Sequence, residues 1–522
     1  MEFQVRLQTH FSRHIRFYFV LGTTFLFGLC AHAYRFFNLN FSHDSMLIYE
    51  SSGITSQINL GRFAQPLYWE LRGDLTAPFL LCLLALVWLA SANYIVVSLL
   101  ELRSFKHIAL LCGILSTNAV LTFSFATYLP WTDVYMLAYL LAALAAWLAV
   151  RFSFGFAAAW IPMTLSLALY QSYLNVAVIL LMIVFVKHIL DGFETKELLI
   201  RIARYLGTLL GGLVVYYLVL QLVLAATGIA LLDSNNGLAQ VGNYNLSGLW
   251  RLMIDTAKYP IRYMLHPETY HPMIAAGINV VIFLTALAAL VRTVTVSRLK
   301  KVPLLLLVLC VLAMPFGINA VYFVSIGNQH SLMIFSFFFF YAFAVMLWER
   351  GGELPPVRLA EKLPDVVKRA KKLLPTLCCG LFSALILFNV VFSNQVYLKK
   401  ALEYDATIFF LTKVTYSMEQ TDGYVPGETP VRFIGTPRES SLFAPRRGFE
   451  NLSGVGLNQA FSTTYSRTYM HFFDAVLSYR INWKGVVSSG SYAELPEVQA
   501  MPVYPAKGSC RIVDGVMIVK FS

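Results

Sequence analysis

Long apolar segments recur along most of the chain, and short polar segments separate them. Each apolar segment has about 17 to 25 residues, the length that an α-helix needs to cross roughly 30 Å of hydrocarbon. The pattern therefore predicts a polytopic α-helical membrane protein with about eleven transmembrane helices. We expect them at residues 17–36, 76–100, 108–127, 133–150, 153–170, 174–190, 205–228, 274–295, 303–325, 330–348 and 373–393.

The composition supports this fold class. Of 522 residues, 58% are hydrophobic and 13% are charged, whereas a soluble globular chain carries about 25% charged residues. The net charge of +12 does not indicate a nucleic-acid partner, because the basic residues cluster in alternate loops between the predicted helices. Lys and Arg mark cytoplasmic loops, so we expect a cytoplasmic N-terminus. The loops 37–75 and 229–273 and the C-terminal tail then lie on the outer side.

The tail, residues 394–522, differs in character from the transmembrane domain, residues 1–393. Its first part, 394–420, has apolar residues at helical spacing, and 431–435 resembles a strand. Asp514-Gly515 separates two β-rich runs, which is a strong signal for a type I′ hairpin. The tail is predicted to be a small extracytoplasmic α/β domain.

The polar stretch from Asn40 to Asp74 is the first candidate for chemistry, because a plain connector between membrane helices does not need its residues. Asp44 follows the first helix and could act as the general base that takes a proton from an attacking hydroxyl. The alternative is a solvated or capping carboxylate at the start of a loop helix, 45–58. Glu50 is a second candidate base, although it faces elsewhere on such a helix. His43 fits better in an acceptor site.

Asp133 opens the fourth predicted helix after a Tyr-Leu-Pro-Trp sequence. A carboxylate at a helix N-terminus is stabilised by the helix dipole by about 0.3–1 kcal/mol, which explains Asp133 without any function. The alternative is a second acidic residue at the membrane face that binds acceptor or metal.

Basic and aromatic side chains in the same outer loops are candidates for substrate binding. A lipid-phosphate donor needs cations that neutralise its phosphate, although the same cations could anchor the loops to lipid headgroups. Aromatic rings at this boundary either form the usual interfacial belt or stack on sugars. His330, at the start of the tenth helix, could contact phosphate or sugar, or only end the helix. The candidates are Arg62, Arg72, Tyr68, Trp69, Trp131, Lys258, Arg262 and His330.

Several segments together resemble a known family. They are His-Asp-Ser at 43–45 with Tyr-Glu at 49–50, LGRF at 60–63, SFATYLPWTDVYMLAYLLA at 124–142, SLALYQSYLNVA at 166–177, SNQVYLKKALEYD at 393–405 and the C-terminal 501–522. On these segments the chain resembles the serotype-converting O-antigen glucosyltransferases of Gram-negative bacteria and their phages (the Gtr type), which are thought to share the GT-C architecture.

The resemblance implies a donor, an acceptor and a place. The donor would be undecaprenyl-phosphate-linked glucose, and the acceptor a hydroxyl of lipid-linked O-antigen at the periplasmic face of the bacterial inner membrane. A donor synthase and a flippase would be functional partners. An acidic residue of the first outer loop acts as base in an inverting displacement, which maps onto Asp44; a second acidic position maps onto Asp133. Many GT-C enzymes use a divalent cation, Mg²⁺ or Mn²⁺, but no ligand set here demands one.

Two other functions compete with this interpretation. A flippase or transporter would need ionisable groups deep in several helices, and the predicted helix interiors are nearly free of charge. An O-antigen polymerase or ligase also uses outer-loop arginines, but it would join whole lipid-linked glycans and not single sugars.

Overall fold

The fold is described from a computed structural model, which describes residues 14–41, 53–73, 76–232, 246–353, 365–435, 472–483 and 492–522. These residues are mainly helical. The α-helices are α1 Ile15–Phe37, α2 Gly53–Ile58, α3 Ala64–Arg72, α4 Pro78–Leu100, α5 Phe105–Thr117, α6 Ala119–Thr127, α7 Leu129–Arg151, α8 Gly155–Ala158, α9 Trp160–Leu169, α10 Leu174–Leu190, α11 Thr195–Thr227, α12 Leu246–Leu265, α13 Pro272–Ser297, α14 Lys301–Gly317, α15 Ala320–Val324, α16 Phe339–Glu353, α17 Asp365–Glu419 and α18 Pro496–Gln499. Two 3₁₀ segments, Gln171–Tyr173 and Ser331–Phe338, precede α10 and α16.

Nine segments of the described chain are long and apolar enough to cross a membrane. They are α1, α4, the pair α5 and α6, α7, α10 with its 3₁₀ turn, α11, α13, residues 331–352 and residues 373–419. The expectation of a multi-pass helical protein is therefore confirmed. The span formed by α5 and α6 is the most enclosed, with 94% of its apolar window buried, whereas α11 is peripheral with 17%.

Two of the eleven predicted helices do not reach membrane length in the described residues. The predicted helix 153–170 is the shorter apolar stretch Gly155–Leu169, and 303–325 ends its first helix at Gly317. At 1.5 Å per residue these cover only about 22 and 25 Å, less than the hydrocarbon thickness. Tyr170 adopts an extended conformation that ends α9. After α14, the chain turns at Asn319 before α15 begins.

The described residues form two compact units. The first contains the described residues of the ranges 1–37, 54–125 and 131–394, and the second those of the ranges 38–53, 126–130 and 395–522. The helix α17 contributes residues to both. In the first unit α1 packs on α4 and α5, α9 packs on α11, and α13 packs on α16.

The second unit contains a small three-stranded sheet. Its strands are β1 Val431–Ile434, β2 Cys510–Val513 and β3 Val516–Lys520, in the order β1-β3-β2. Strand β3 pairs parallel with β1 and antiparallel with β2. Asp514 and Gly515 connect β2 and β3 with φ angles of 49° and 75°, so both turn residues adopt the positive φ that a type I′ hairpin requires. The predicted hairpin is confirmed.

Candidate active site

The polar stretch between the first two membrane helices forms two short helices, α2 and α3, in its described part. Gly61 joins them with a φ of 76°, a left-handed conformation that glycine adopts without steric cost. His43, Asp44 and Glu50 precede α2 and lie outside the described residues. The geometry of this site is therefore built from Arg62 onward.

Side chains of the helical bundle fix the turn between α2 and α3. The hydroxyl of Tyr216, on α11, donates to the Gly61 carbonyl at 3.0 Å. The amide of Gln171 donates to the Leu60 carbonyl at 2.9 Å and to the Tyr216 hydroxyl at 3.1 Å. The ring of Phe63 stacks on Tyr216 with centroids 5.8 Å apart. Backbone carbonyls of the turn thus find partners inside the bundle, which holds the turn in one conformation.

Arg62 follows this turn and carries the cation of the site. Its guanidinium carbon lies 4.8 Å from the centroid of the Tyr170 ring, a geometry that stabilises a cation. The Arg62 Nε atom is buried without a hydrogen-bond partner, and no carboxylate of the described ranges forms an ion pair with Arg62. Burial raises the pKa of Tyr170 above its ordinary value, so the ring beneath the cation is a neutral phenol. Arg62 is therefore a positioned positive charge that lacks a described protein anion.

Asp133 lies at the centre of a buried polar network that joins α3 to α7. Its Oδ1 accepts a charged hydrogen bond from Arg72 Nη1 at 2.6 Å, and its Oδ2 accepts from the Tyr68 hydroxyl at 3.0 Å. The Tyr68 oxygen in turn accepts from Trp88 Nε1 at 3.1 Å. Burial and the Asp133 charge raise the pKa of Tyr68, which keeps it protonated as a donor. Both oxygens of Asp133 are thus engaged, and its side chain has no exposed surface.

The two candidate tryptophans also meet in this unit. The rings of Trp69 and Trp131 are in edge-to-face contact with centroids 5.8 Å apart. Trp69 Nε1 is buried without a hydrogen-bond partner. The structure therefore brings five predicted residues together around α3 and the start of α7. They are Tyr68, Trp69, Arg72, Trp131 and Asp133.

The remaining predicted binding residues are placed differently. Lys258 and Arg262 extend exposed side chains from α12 and form no hydrogen bond or ion pair with the described part of the chain. His330 is exposed, and its Nδ1 accepts from the Leu332 backbone N–H at 3.3 Å. This is a capping contact at the start of a 3₁₀ segment. Nothing in these contacts links the three residues to Arg62.

At the other ends of the same helices, charged groups are paired with each other. Glu101 accepts from Lys187 at 2.9 Å and lies 3.7 Å from Arg151, and Arg350 pairs with Asp191. Burial alone would raise the pKa of Asp191, but hydrogen bonds from Arg350 and Lys187 lower it. These residues lie at helix ends predicted to be cytoplasmic. Arg62, by contrast, has no ion-pair partner in the described ranges.

Sequence reasoning missed the residues that hold the turn, Tyr216 and Gln171. Both occur inside or beside apolar segments. There, an isolated polar side chain is the sequence feature that could have indicated a structural or functional role. Metal binding has no support in the described ranges, where no group of three His, Cys, Asp or Glu residues could hold an ion.

Comparison with known proteins identifies a family for this chain. Residues 33–348, more than half of the chain, match the family model described as Glucosyl transferase GtrII. This range contains the whole α2–α3 segment, Asp133, and the turn-holding residues Gln171 and Tyr216. No curated protein and no solved structure matches the chain.

Proposed function

Because the chain belongs to the GtrII glucosyl transferase family and is a glycosyltransferase, we propose that it transfers a glucosyl group from a polyprenyl-phosphate donor. The acceptor in this proposal is lipid-linked O-antigen or a related surface polysaccharide. Transfer takes place at the periplasmic face of the bacterial inner membrane. A donor synthase and a flippase supply the donor on that side.

The observation that carries the proposal is that the half-buried Arg62 has no anionic partner among the described residues. Taking a guanidinium out of water is costly unless an anion or hydrogen-bond acceptors compensate it. Arg62 is half-buried and stacks on Tyr170, and it has no described anionic partner. A guanidinium fork binds a phosphate with two parallel charged hydrogen bonds, as it binds a carboxylate. The phosphate of a lipid-linked sugar would complete this site.

The reaction needs a base and a stabilised leaving group. The base takes the proton of the acceptor hydroxyl while that oxygen bonds to the anomeric carbon, and Asp44 is the residue we assign to this step. The bond between the anomeric carbon and the phosphate oxygen breaks, and the electron pair leaves with the polyprenyl phosphate. Arg62 would stabilise the negative charge that develops on this phosphate. Attack from the opposite face inverts the anomeric configuration.

Asp133 has a positioning role in this account. Its two oxygens are occupied by Arg72 and Tyr68, and its side chain is fully buried. A base must reach the proton it takes, directly or through one water, which disfavours Asp133 for that step. The network instead fixes the position of α3, which follows Arg62 in the chain and carries Trp69. Glu50 remains a second candidate base, and a divalent cation remains an additional candidate cofactor.

The experiment that tests the proposal compares Arg62→Gln with wild type in sugar transfer from polyprenyl-phosphate-glucose. A charged hydrogen bond contributes about 1.5–3 kcal/mol, so kcat/KM should fall about 10- to 100-fold. Arg62→Lys keeps the charge but loses the fork and should retain part of the activity.

Arg201 provides a matched control, because its guanidinium carbon lies 4.6 Å from the Phe193 ring at the other end of the bundle. Arg201→Gln removes the same type of stacked cation and should leave transfer unchanged. The proposal fails if Arg62→Gln transfers normally or if wild type does not use this donor. Product mass separates single-sugar transfer from the joining of whole glycans.

A further inference from the structure

A small cavity lies between α6, α12, α16 and α17, and none of the residues that hold Arg62 lines it. The loop between α12 and α13, residues 266–271, forms its mouth, and Glu268 and Thr269 line it. The side chain of Glu268 is exposed there, and it forms no hydrogen bond or ion pair with the described residues. An acidic side chain at a cavity mouth with no described partner can accept hydrogen bonds from a ligand.

The inner wall of the cavity also has polar groups that lack partners. Asn389, on α17, lines the cavity with only 3% of its surface exposed. Its amide makes no hydrogen bond with the described chain. The Oγ1 atom of Thr269 is buried and likewise has no partner. Since buried polar groups are nearly always satisfied, the unsatisfied Thr269 hydroxyl, in a cavity that Asn389 also lines, indicates that a ligand hydroxyl supplies the missing bond.

The walls of the cavity are fixed by the surrounding helices. Asn279 donates to the Met264 carbonyl at 2.8 Å, and its Oδ1 accepts from the Tyr341 hydroxyl at 2.7 Å. These bonds attach the last turn of α12 to α13 and α16. Helix α5 ends at Thr117 and α6 begins at Ala119, whose small side chain also lines the cavity. The cavity is thus a property of the helix packing.

The ligand class follows from the chemistry of the lining. Glu268 accepts hydrogen bonds, the Asn389 amide donates and accepts, and the Thr269 hydroxyl does both. Three aromatic rings, of Tyr263, Phe338 and Tyr341, also line the cavity. Apolar rings with a few convergent polar groups suit a neutral hydroxylated molecule, whereas the negative charge of Glu268 repels a phosphate.

The size of the cavity limits what enters it. Its free volume is about 10 Å³, which is room for one group of the size of a water molecule. A hydroxyl fits there, and a whole sugar ring does not. The rest of the ligand would lie at the exposed side of Glu268.

We propose that this cavity is a sugar-recognition subsite, in which Glu268, Thr269 and Asn389 bind a hydroxyl of a hexose of the substrate. This inference rests on the proposed function, because it assigns a further binding site to the same transfer reaction. The sugar belongs either to the donor or to the acceptor glycan, and these share the hydroxyl chemistry that the subsite reads.

The test separates the sources of the sugar by kinetics. Glu268→Gln keeps the shape and removes the charge, and Asn389→Leu removes the amide at similar volume. Each variant should raise either the KM for the donor or the KM for the acceptor about tenfold and leave the other KM unchanged. One lost hydrogen bond contributes on the order of 1 kcal/mol. A raised donor KM assigns the subsite to the donor sugar, and a raised acceptor KM assigns it to the acceptor. Glu197→Gln, on the exposed first turn of α11, is the control. Unchanged KM values in both variants would overturn the inference.

A binding measurement separates the failure of this inference from the failure of the proposed function. Thermal unfolding of purified wild type is recorded with methyl glucoside, with inorganic phosphate and with MgCl₂. The inference predicts stabilisation by methyl glucoside that both variants lose, even if wild type fails to use the polyprenyl-phosphate donor. Stabilisation by Mg²⁺ that Glu268→Gln abolishes would replace the sugar subsite with a cation site. Equal unfolding temperatures of the wild type with and without these additives would also overturn the sugar-subsite inference.

Discussion

The guanidinium of Arg72 and the carboxylate of Asp133 are 2.6 Å apart and almost completely buried, although 61 positions separate them in the chain. Arg72 ends α3, and Asp133 lies in the second turn of α7, which begins at Leu129 and not at Asp133 as the sequence predicted. The pair therefore attaches the loop helix α3 to the apolar helix α7. The Tyr68 hydroxyl donates to the second oxygen of Asp133. Two residues of α3, Tyr68 and Arg72, therefore bind this carboxylate.

We predict that Asp133→Asn destabilises the protein strongly, because it leaves Arg72 as a buried charge without its anion. Breaking one partner of a buried ion pair costs about 3–5 kcal/mol. Replacing both partners with apolar residues, as in Arg72→Met with Asp133→Leu, should recover much of this loss. Thermal unfolding of the solubilised protein checks both. A double variant no more stable than Asp133→Asn would contradict the account of this pair.

Tyr216 and Tyr217 offer a matched pair for the turn that presents Arg62. The Tyr216 hydroxyl donates to the Gly61 carbonyl, whereas the neighbouring Tyr217 side chain is 59% exposed. Tyr216→Phe should lower kcat/KM about tenfold, since a lost hydrogen bond leaves a carbonyl unsatisfied and loosens the turn. Tyr217→Phe should have no effect. Equal transfer rates in the two variants would show that the turn does not position Arg62.

The proposed orientation can be tested by labelling. In a variant without native cysteines, Glu70→Cys places an exposed thiol on α3, and Lys196→Cys places one at the start of α11. A membrane-impermeant thiol reagent added to the periplasmic side should label the first position and not the second. Permeabilised cells should show labelling at both. The reverse pattern would place the Arg62 site in the cytoplasm and would exclude a donor presented from the periplasm.

The features that sequence analysis predicted well depend on local chemistry. Asp514 and Gly515 form the expected hairpin because the turn needs two positive φ angles that these residues adopt easily. Most membrane helices were predicted because a long apolar segment has few alternatives in a bilayer. In the described residues nine of the expected helices reach membrane length and the count of eleven is not confirmed, because hydropathy does not show where a helix ends. Tyr170 and Gly317 end their helices before these reach membrane length.

The features that were missed depend on tertiary packing. Asp133 was recognised as a candidate, but its partner Arg72 could not be deduced, since no periodicity links two residues on different helices. Gln171 looked like part of a short connection, and only the structure shows its contacts with Leu60 and Tyr216. Glu268 lies in a polar loop without a motif, and its cavity forms from four helices distant in sequence.

The most direct test of the central claim is sugar transfer from polyprenyl-phosphate-glucose by wild type and Asp44→Asn at matched protein levels. The substitution keeps the side-chain shape and removes the base. The account predicts transfer by wild type and a loss on the order of 10²–10⁴-fold in kcat for the variant, the usual contribution of general-base catalysis. Near-normal transfer by Asp44→Asn would contradict Asp44 as the base, and absence of transfer by wild type would contradict the donor.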